Sequence, residues 1–212
     1  MNEKLSAIEV RVLGSLMEKS LITPEYYPMT VNALTNACNQ KSSRHPVTDY
    51  NEEEIKNALG SLQQKGCCGR VLSEGARAVK YRYTLPYPYM LNEKELPVMC
   101  LLLLRGAQTS GELRTRSDRM YDYKSLEELE EVLTALQNRE TGALVKMLEK
   151  QPGQKENRFV QLIGDEEIFT QEKTTEVNPP AKNSNLEEEV AALKEEVRQL
   201  KEKLDNFIKQ FE

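Results

Sequence analysis

The sequence has no tryptophan, a single histidine and no apolar run near the roughly 20 residues that a membrane-crossing helix needs. The N-terminal residues Met1-Asn2-Glu3-Lys4-Leu5 carry no apolar secretion core, so the expected location is the cytoplasm, with no membrane association. The four cysteines, Cys38, Cys67, Cys68 and Cys100, show no CxxC spacing, and His45 is the one histidine. A zinc site takes four N, S or O ligands in a tetrahedron, which this pattern does not supply. Buried free thiols in a reducing compartment are the expectation instead. No GxGxxG or phosphate loop occurs, and His45 has no evident partners for nucleophilic catalysis. The chain therefore reads as non-enzymatic, with no cofactor, no metal and no small-molecule substrate evident. An enzyme is a third alternative, which turnover abolished at His45 would revive.

What is present is helix and hairpin signal. The 212 residues suffice for one large domain or two small ones. The net charge of −5 argues against coating nucleic acid through bulk charge and leaves room for a local basic face. Asn51 can cap a helix, and Glu54 stands where a capping-box partner belongs. Ile55, Ala58, Leu59 and Leu62 follow at the spacing of one buried helix face, and Lys65-Gly66 stops the helix. Residues 67–72 and 79–85 read as strands joined by the turn Ser73-Glu74-Gly75-Ala76. Helix, strand, turn and strand make the second half of a winged helix.

Upstream, Ser6 and Glu9 open a helix with Leu5, Ile8, Val12, Leu13 and Leu16 on its apolar face and an end near Lys19. Thr23-Pro24 and Tyr27-Pro28 predict a loop lying over the domain. Thr30 caps a second helix, with Val31, Leu34, Ala37 and Cys38 facing in. The polar connection 39–50 is long for a helix-turn-helix. Its Asn39 and Gln40 read either as part of a functional surface or as partners for the loop's own backbone.

The chain then repeats itself. Leu5, Glu9, Val12, Leu16 and Lys19 match Leu91, Glu95, Val98, Leu102 and Arg105 at one constant offset. Thr30 and Leu34 match Thr109 and Leu113; Ile55, Leu59, Leu62, Gln63 and Val71 match Leu129, Leu133, Leu136, Gln137 and Val145. The offset changes only at loops, as in a duplicated unit. The second copy is expected to have helices near 92–105, 109–117 and 125–139, with Pro97 delaying the first. Its strands are expected near 143–149 and 157–163, with a wing through Pro152-Gly153. The expected fold class is mainly α (α+β): two tandem winged-helix domains, 1–86 and 87–164, a flexible linker 165–185, and a C-terminal amphipathic or coiled-coil helix 186–212.

In that tail Val190 and Val197 take heptad a positions, with Leu193 and Leu200 at d and Leu204 following. This pattern predicts a homodimer, against the alternative of an amphipathic helix packing back on its own chain. Basic residues concentrate on the first hairpin (Arg70, Arg77, Lys80, Arg82), on the loop before the third helix (Lys41, Arg44) and around the second copy's second helix (Arg114, Arg116, Arg119). Lys65, Lys150, Lys155 and Arg158 add to them. Wings can follow a phosphate backbone, and such contacts position without specifying sequence. Ordinary surface charge is the alternative. The third helices begin with Glu52, Glu53 and Glu54, and with Glu127, Glu128, Glu130 and Glu131. Acids there suit the helix dipole and argue against insertion into a DNA groove.

The motif Leu34-Thr35-Asn36-Ala37-Cys38-Asn39-Gln40-Lys41, continuing to Arg44 and Pro46-Val47, resembles the signature of the YceH-like family of uncharacterised bacterial proteins. So do Arg77 with Val79-Lys80-Tyr81, and 103–109 (LLRGAQT) with Gly111-Glu112-Leu113-Arg114. The resemblance spans about residues 5–163 and implies two tandem winged-helix domains, with no established activity, cofactor or ligand. The chain departs from the family pattern at Ala78, where threonine is expected, and at Ser110, where proline is common.

Two functional expectations follow. The first is a dimeric DNA-binding or regulatory protein whose wings and basic loop hold double-stranded DNA through Lys41, Arg44, Arg70, Arg77, Lys80, Arg82, Arg114 and Arg116. The second is a scaffold that clasps a protein partner without DNA.

Overall fold

The computed structural model describes residues 4–72, 78–87, 89–150 and 152–165. Arg77 and the heptad positions Val190, Leu193, Val197, Leu200 and Leu204 lie outside them.

The Ser6 hydroxyl accepts from Glu9 N, and the Glu9 carboxylate accepts from Ser6 N at 2.7 Å, which starts α1 (Ala7–Ile22). Sequence periodicity predicts one apolar face and an end near Lys19. In the structure every residue from Glu9 to Glu18 is buried, and the helix runs to Ile22. The reason is α4 (Glu95–Arg105), which packs on the side of α1 that a solitary three-helix unit leaves to water. Pro97 sits at the third residue of α4, in the first turn, where a backbone N–H would have no acceptor within the helix and its loss costs nothing, so the helix starts at Glu95 rather than 92.

Thr30 caps α2 (Val31–Cys38), and Asn51 with Glu54 closes a capping box on α3 (Glu52–Gln64). The strands β2 (Cys68–Val71) and β3 (Lys80–Tyr83) follow. The segment expected as a plain loop contains a 3-10 turn, Pro24–Tyr26, and a two-residue strand, β1 (Met29–Thr30). β1 pairs antiparallel with β3, Met29 opposite Tyr81 and Thr30 opposite Lys80, giving the order β1-β3-β2.

The same order of elements recurs in α4, α5 (Ser110–Ser117), α6 (Leu126–Gln137), β4 (Val145–Met147) and β5 (Phe159–Gln161). The fold is thus mostly α, with six helices and two small antiparallel sheets among the described residues. Side chains carry the repetition further. Glu9 is ion-paired to Lys65 at 2.9 Å; Glu95, its equivalent, is paired to Arg139, the equivalent of Lys65, at 3.3 Å. Gln108 matches Met29 and bridges to Phe159 of β5 by two backbone hydrogen bonds, just as Met29 pairs with β3.

The helices α1 and α4 meet at equivalent positions too. Gly14 corresponds to Cys100, and the Cys100 thiol donates to the Gly14 carbonyl at 3.6 Å. A Cβ on Gly14 would stand 3.0 Å from Leu103 Cβ and 3.0 Å from Leu104 Cδ2, so the close approach favours glycine and a side chain there would force the leucines to shift. One hydrophobic cluster joins Leu13, Leu16 and Met17 of α1 to Met99, Leu102 and Leu103 of α4 and to the cores under α3 and α6.

A pair of glycine substitutions separates this packing from helix propensity. Gly14→Ala is expected to destabilise the fold by about 1–3 kcal/mol through overpacking. Gly60→Ala, in the middle of α3 with nothing within 4 Å of the new Cβ, is expected to stabilise it by about 0.5–1 kcal/mol. Urea unfolding of the two variants checks both signs.

Candidate nucleic-acid interface

The basic residues predicted from sequence do not form one surface. In β2–β3, Gly69 is opposite Arg82 and Val71 is opposite Lys80. Side chains alternate along a strand, so Lys80 and Arg82 share one face of the sheet and Arg70, opposite Tyr81, lies on the other. All three are exposed. Arg82 lies over Gly69, its Nε 3.7 Å from where a Cβ would stand. Thr30 joins the Lys80–Arg82 face through β1. Among the described residues no side-chain hydrogen bond or ion pair engages Arg70, Lys80 or Arg82.

The loop 39–50 gives the main correction. Arg44, expected on a phosphate-binding surface, is buried at 6% exposure. Its guanidinium forks onto the Glu18 carboxylate, Nη1 to Oε1 at 2.9 Å and Nη2 to Oε2 at 2.6 Å, while Nε donates to the Ala37 carbonyl at 3.0 Å. Burial acts to raise the Glu18 pKa, but the hydrogen bonds and charge of Arg44, with help from Lys19, outweigh it and leave Glu18 below the usual carboxylate value. A planar fork matched to a carboxylate is a strong charge-assisted contact, so Arg44 anchors the loop and leaves the interface.

A second buried arginine does the same work. Arg11 donates to the Cys38 carbonyl at 3.0 Å, to Thr48 Oγ1 at 3.0 Å and to the Pro46 carbonyl at 2.6 Å. Asn39 closes the loop by donating to the Tyr50 carbonyl at 2.7 Å and accepting from Tyr50 N at 2.9 Å. The backbone-satisfying alternative therefore describes Asn39. Sequence reasoning missed Arg11 and Glu18 as loop anchors. The signal was Arg11 within the mostly apolar run from Val10 to Met17, and Glu18 directly after it.

With the loop so held, Lys41 is exposed at its crest. Arg114 is exposed as well, although it donates to the Tyr123 and Lys124 carbonyls at 3.3 and 3.4 Å. Arg116 is half-buried and engaged, donating to Gln108 Oε1 at 2.7 Å and to Glu112 Oε1 at 3.2 Å. Glu112 also holds Arg158 at 3.2 Å. The acids at the start of α3 are exposed; Glu52 accepts from Asn32 at 3.2 Å, and Glu54 belongs to the cap.

All four cysteines are buried and unpaired. Burial raises their pKa values, that of Cys68 to about 11, which holds these thiols protonated at neutral pH. Among the described residues no group of three His, Cys, Asp or Glu is placed to hold a metal ion, and no helix is long and apolar enough to cross a membrane.

A family model described as "Protein of unknown function, DUF480" matches residues 5–154. The chain belongs to this family. It is 48% identical over 221 residues to a UPF0502 protein of Geotalea uraniireducens (strain Rf4), with 100% of both chains covered. A UPF0502 protein of Geotalea daltonii is 47% identical over 202 residues, which cover 95% of this chain and 89% of the relative. One of Solibacter usitatus (strain Ellin6076) is 43% identical over 213 residues, again with 100% of both chains covered. The family resemblance carried by the 34–47 and 103–114 motifs is thereby established, and those motifs are the loop and helix ends that Arg11, Arg44 and Gln108 hold in place.

Breaking the Glu18–Arg44 fork tests the anchoring role. Arg44→Ala leaves a buried carboxylate without its main partner and is expected to cost about 3–5 kcal/mol. Because the folded pKa of Glu18 is depressed, the pair's contribution is complete above the ordinary carboxylate value of 4.5 and is lost as pH falls through the lower folded value. Stability of the wild type should therefore decline below about pH 4.5, and a Glu18→Gln variant, already weakened at neutral pH, should decline less. Denaturant midpoints measured across pH check this.

Proposed function

We propose that this chain is a non-enzymatic, cytoplasmic tandem winged-helix protein that binds double-stranded DNA through phosphate contacts and acts as a homodimer through its heptad tail. The observation that carries the reading is the first hairpin. Lys80 and Arg82 stand side by side on one exposed sheet face, with Arg70 exposed on the other, in a chain whose net charge is −5. Cations displayed on a short twisted ribbon suit a phosphate backbone, and contacts of this kind fix register without reading bases. Arg77 extends the same hairpin in sequence, and Lys41 and Arg114 are further exposed contributors. The carboxylates at the starts of α3 and α6 favour backbone following over insertion of those helices into a groove.

A protein-binding scaffold is the second reading. An open groove of about 540 Å³ between α6 and the β4–β5 hairpin, lined by Leu126, Leu133, Met147 and Phe159, favours it. Leu126 and Met147 are exposed there at 37% and 45%.

Fluorescence anisotropy of the full chain on random duplex DNA, titrated across salt, separates the two. DNA binding predicts a steep negative slope of log affinity against log salt. The double variant Lys80→Ala/Arg82→Ala should reduce that slope by roughly 2, the two released phosphate contacts. A folded protein with no affinity at low salt would instead favour the scaffold, and a stoichiometric protein captured after nuclease treatment would identify its partner.

A further inference from the structure

A second basic region lies away from the hairpin. Thr30, beside Lys80, precedes α2, and Lys41 follows it, so the two regions are separated by the length of α2, roughly 12 Å. At the Lys41 end is an open cleft of about 530 Å³. It is formed by the end of α1 (Glu18, Lys19, Ile22, Thr23), the loop 40–43, and Arg119 from the turn after α5. Its two polar walls thus come from opposite halves of the duplicated chain.

The charge in this cleft is one-sided. Lys19, Lys41 and Arg119 line it, and Glu18 is the single acid doing so. That carboxylate is already held by Arg44 and by Lys19, at 2.6 and 3.0 Å. Lys41 and Arg119 are exposed and have no ion-pair partner among the described residues. Behind the cleft, Arg105 donates to Ser43 Oγ at 2.7 Å. The Ser43 hydroxyl accepts that bond, so its own hydrogen is left free to donate, and Ser43 lines the cleft. Burial lowers the Arg105 pKa, and the neighbouring charges of Arg116 and Arg44 lower it further against the opposing pull of Glu18. The carbonyl of Lys19, which would repel an anion at the C-terminal end of α1, accepts from both Thr23 N (3.1 Å) and Thr23 Oγ1 (3.3 Å).

Crowded cations with hydroxyl donors and a pre-neutralised carboxylate form an arrangement that lacks a counter-anion. We infer that this cleft binds a phosphoryl oxyanion, with Lys41 and Arg119 as its charged ligands from the two halves and Ser42 and Ser43 as hydroxyl donors. The volume falls in the range of small-ligand sites, about 300–1,000 Å³. The phosphoryl group is either that of a free phosphorylated small molecule or one in a DNA backbone. The inference shares the phosphate chemistry and Lys41 with the DNA reading, while Arg119, Ser42 and Ser43 belong to the cleft alone and Lys80 and Arg82 to the hairpin.

The test uses the full chain and two double variants, Lys41→Gln/Arg119→Gln in the cleft and Lys80→Ala/Arg82→Ala on the hairpin. All four positions are exposed, so melting temperatures should match the wild type and serve as the folding control. Inorganic diphosphate is titrated by calorimetry at low salt, and duplex DNA by anisotropy. Diphosphate binding that weakens roughly ten-fold or more in the cleft variant, and stays unchanged in the hairpin variant, supports a free-phosphate site. DNA affinity that weakens in the cleft variant, with DNA competed off by diphosphate, supports a backbone phosphate held there. If neither ligand distinguishes the cleft variant from the wild type, the inference is overturned. The hairpin variant judges the DNA reading separately: it can leave DNA binding intact while the cleft result stands.

Discussion

Where α1 meets α4, the backbone at Gly14 lies so close to Leu103 and Leu104 that even a methyl group would press on them at 3.0 Å. Most of the structure depends on that approach. It lets two helices at equivalent places in a duplicated sequence bury each other on nearly all sides, so residues from both halves share one hydrophobic cluster. Each outer helix pair and hairpin is then arranged around its own half of this central pair. The buried carboxylates Glu9 and Glu95 tie each central helix to the end of its own third helix through Lys65 and Arg139. The tie recurs because the same geometric problem recurs: a helix N-terminus enclosed in the core needs its capping carboxylate balanced by a cation.

The loop between α2 and α3 shows how charge can serve structure where function was the first expectation. Twelve residues of polar backbone lying against the core need hydrogen-bond partners. Arg11 and Arg44 supply donors to the carbonyls of Ala37, Cys38, Ser43 and Pro46, and Asn39 pairs with both backbone groups of Tyr50. The guanidinium has a rigid fork of five donors and stays charged when buried, which suits it to several fixed carbonyls at once. Holding the base of the loop in this way leaves Lys41 and Ser42 exposed, and with Ser43 they line the same cleft as Arg119. Structural and surface roles are thus divided between adjacent residues of the same loop.

The helices were legible in the sequence because their signals are local. Capping pairs such as Ser6 and Glu9 or Asn51 and Glu54, and the recurrence of Ile55, Ala58, Leu59 and Leu62, act within one or two turns and appear in the structure at the same residues. The hairpins were legible from short apolar runs flanked by turn residues, with ends one to two residues inside the expected limits. β1 and the Gln108–Phe159 bridge were not legible. One or two residues have no periodicity, and their conformation is set by a strand some 50 residues away. The basic site was legible only as a set of cations. Sequence could not separate Arg44, whose charge is buried against Glu18, from Lys41, three residues earlier and exposed.

The sequence by itself determined the family, the duplication, the helix starts and the content of mostly α structure with small antiparallel sheets, because each follows from motifs or from interactions a few residues apart. The tertiary structure decided which charges face solvent and which hold the loop, the burial of α1 on every side from Glu9 to Glu18, and the placing of Lys41 and Arg119 on one cleft. Those outcomes depend on which surfaces come together over long chain separations. Burial and ion pairing are properties of that assembled environment, and no local pattern encodes them.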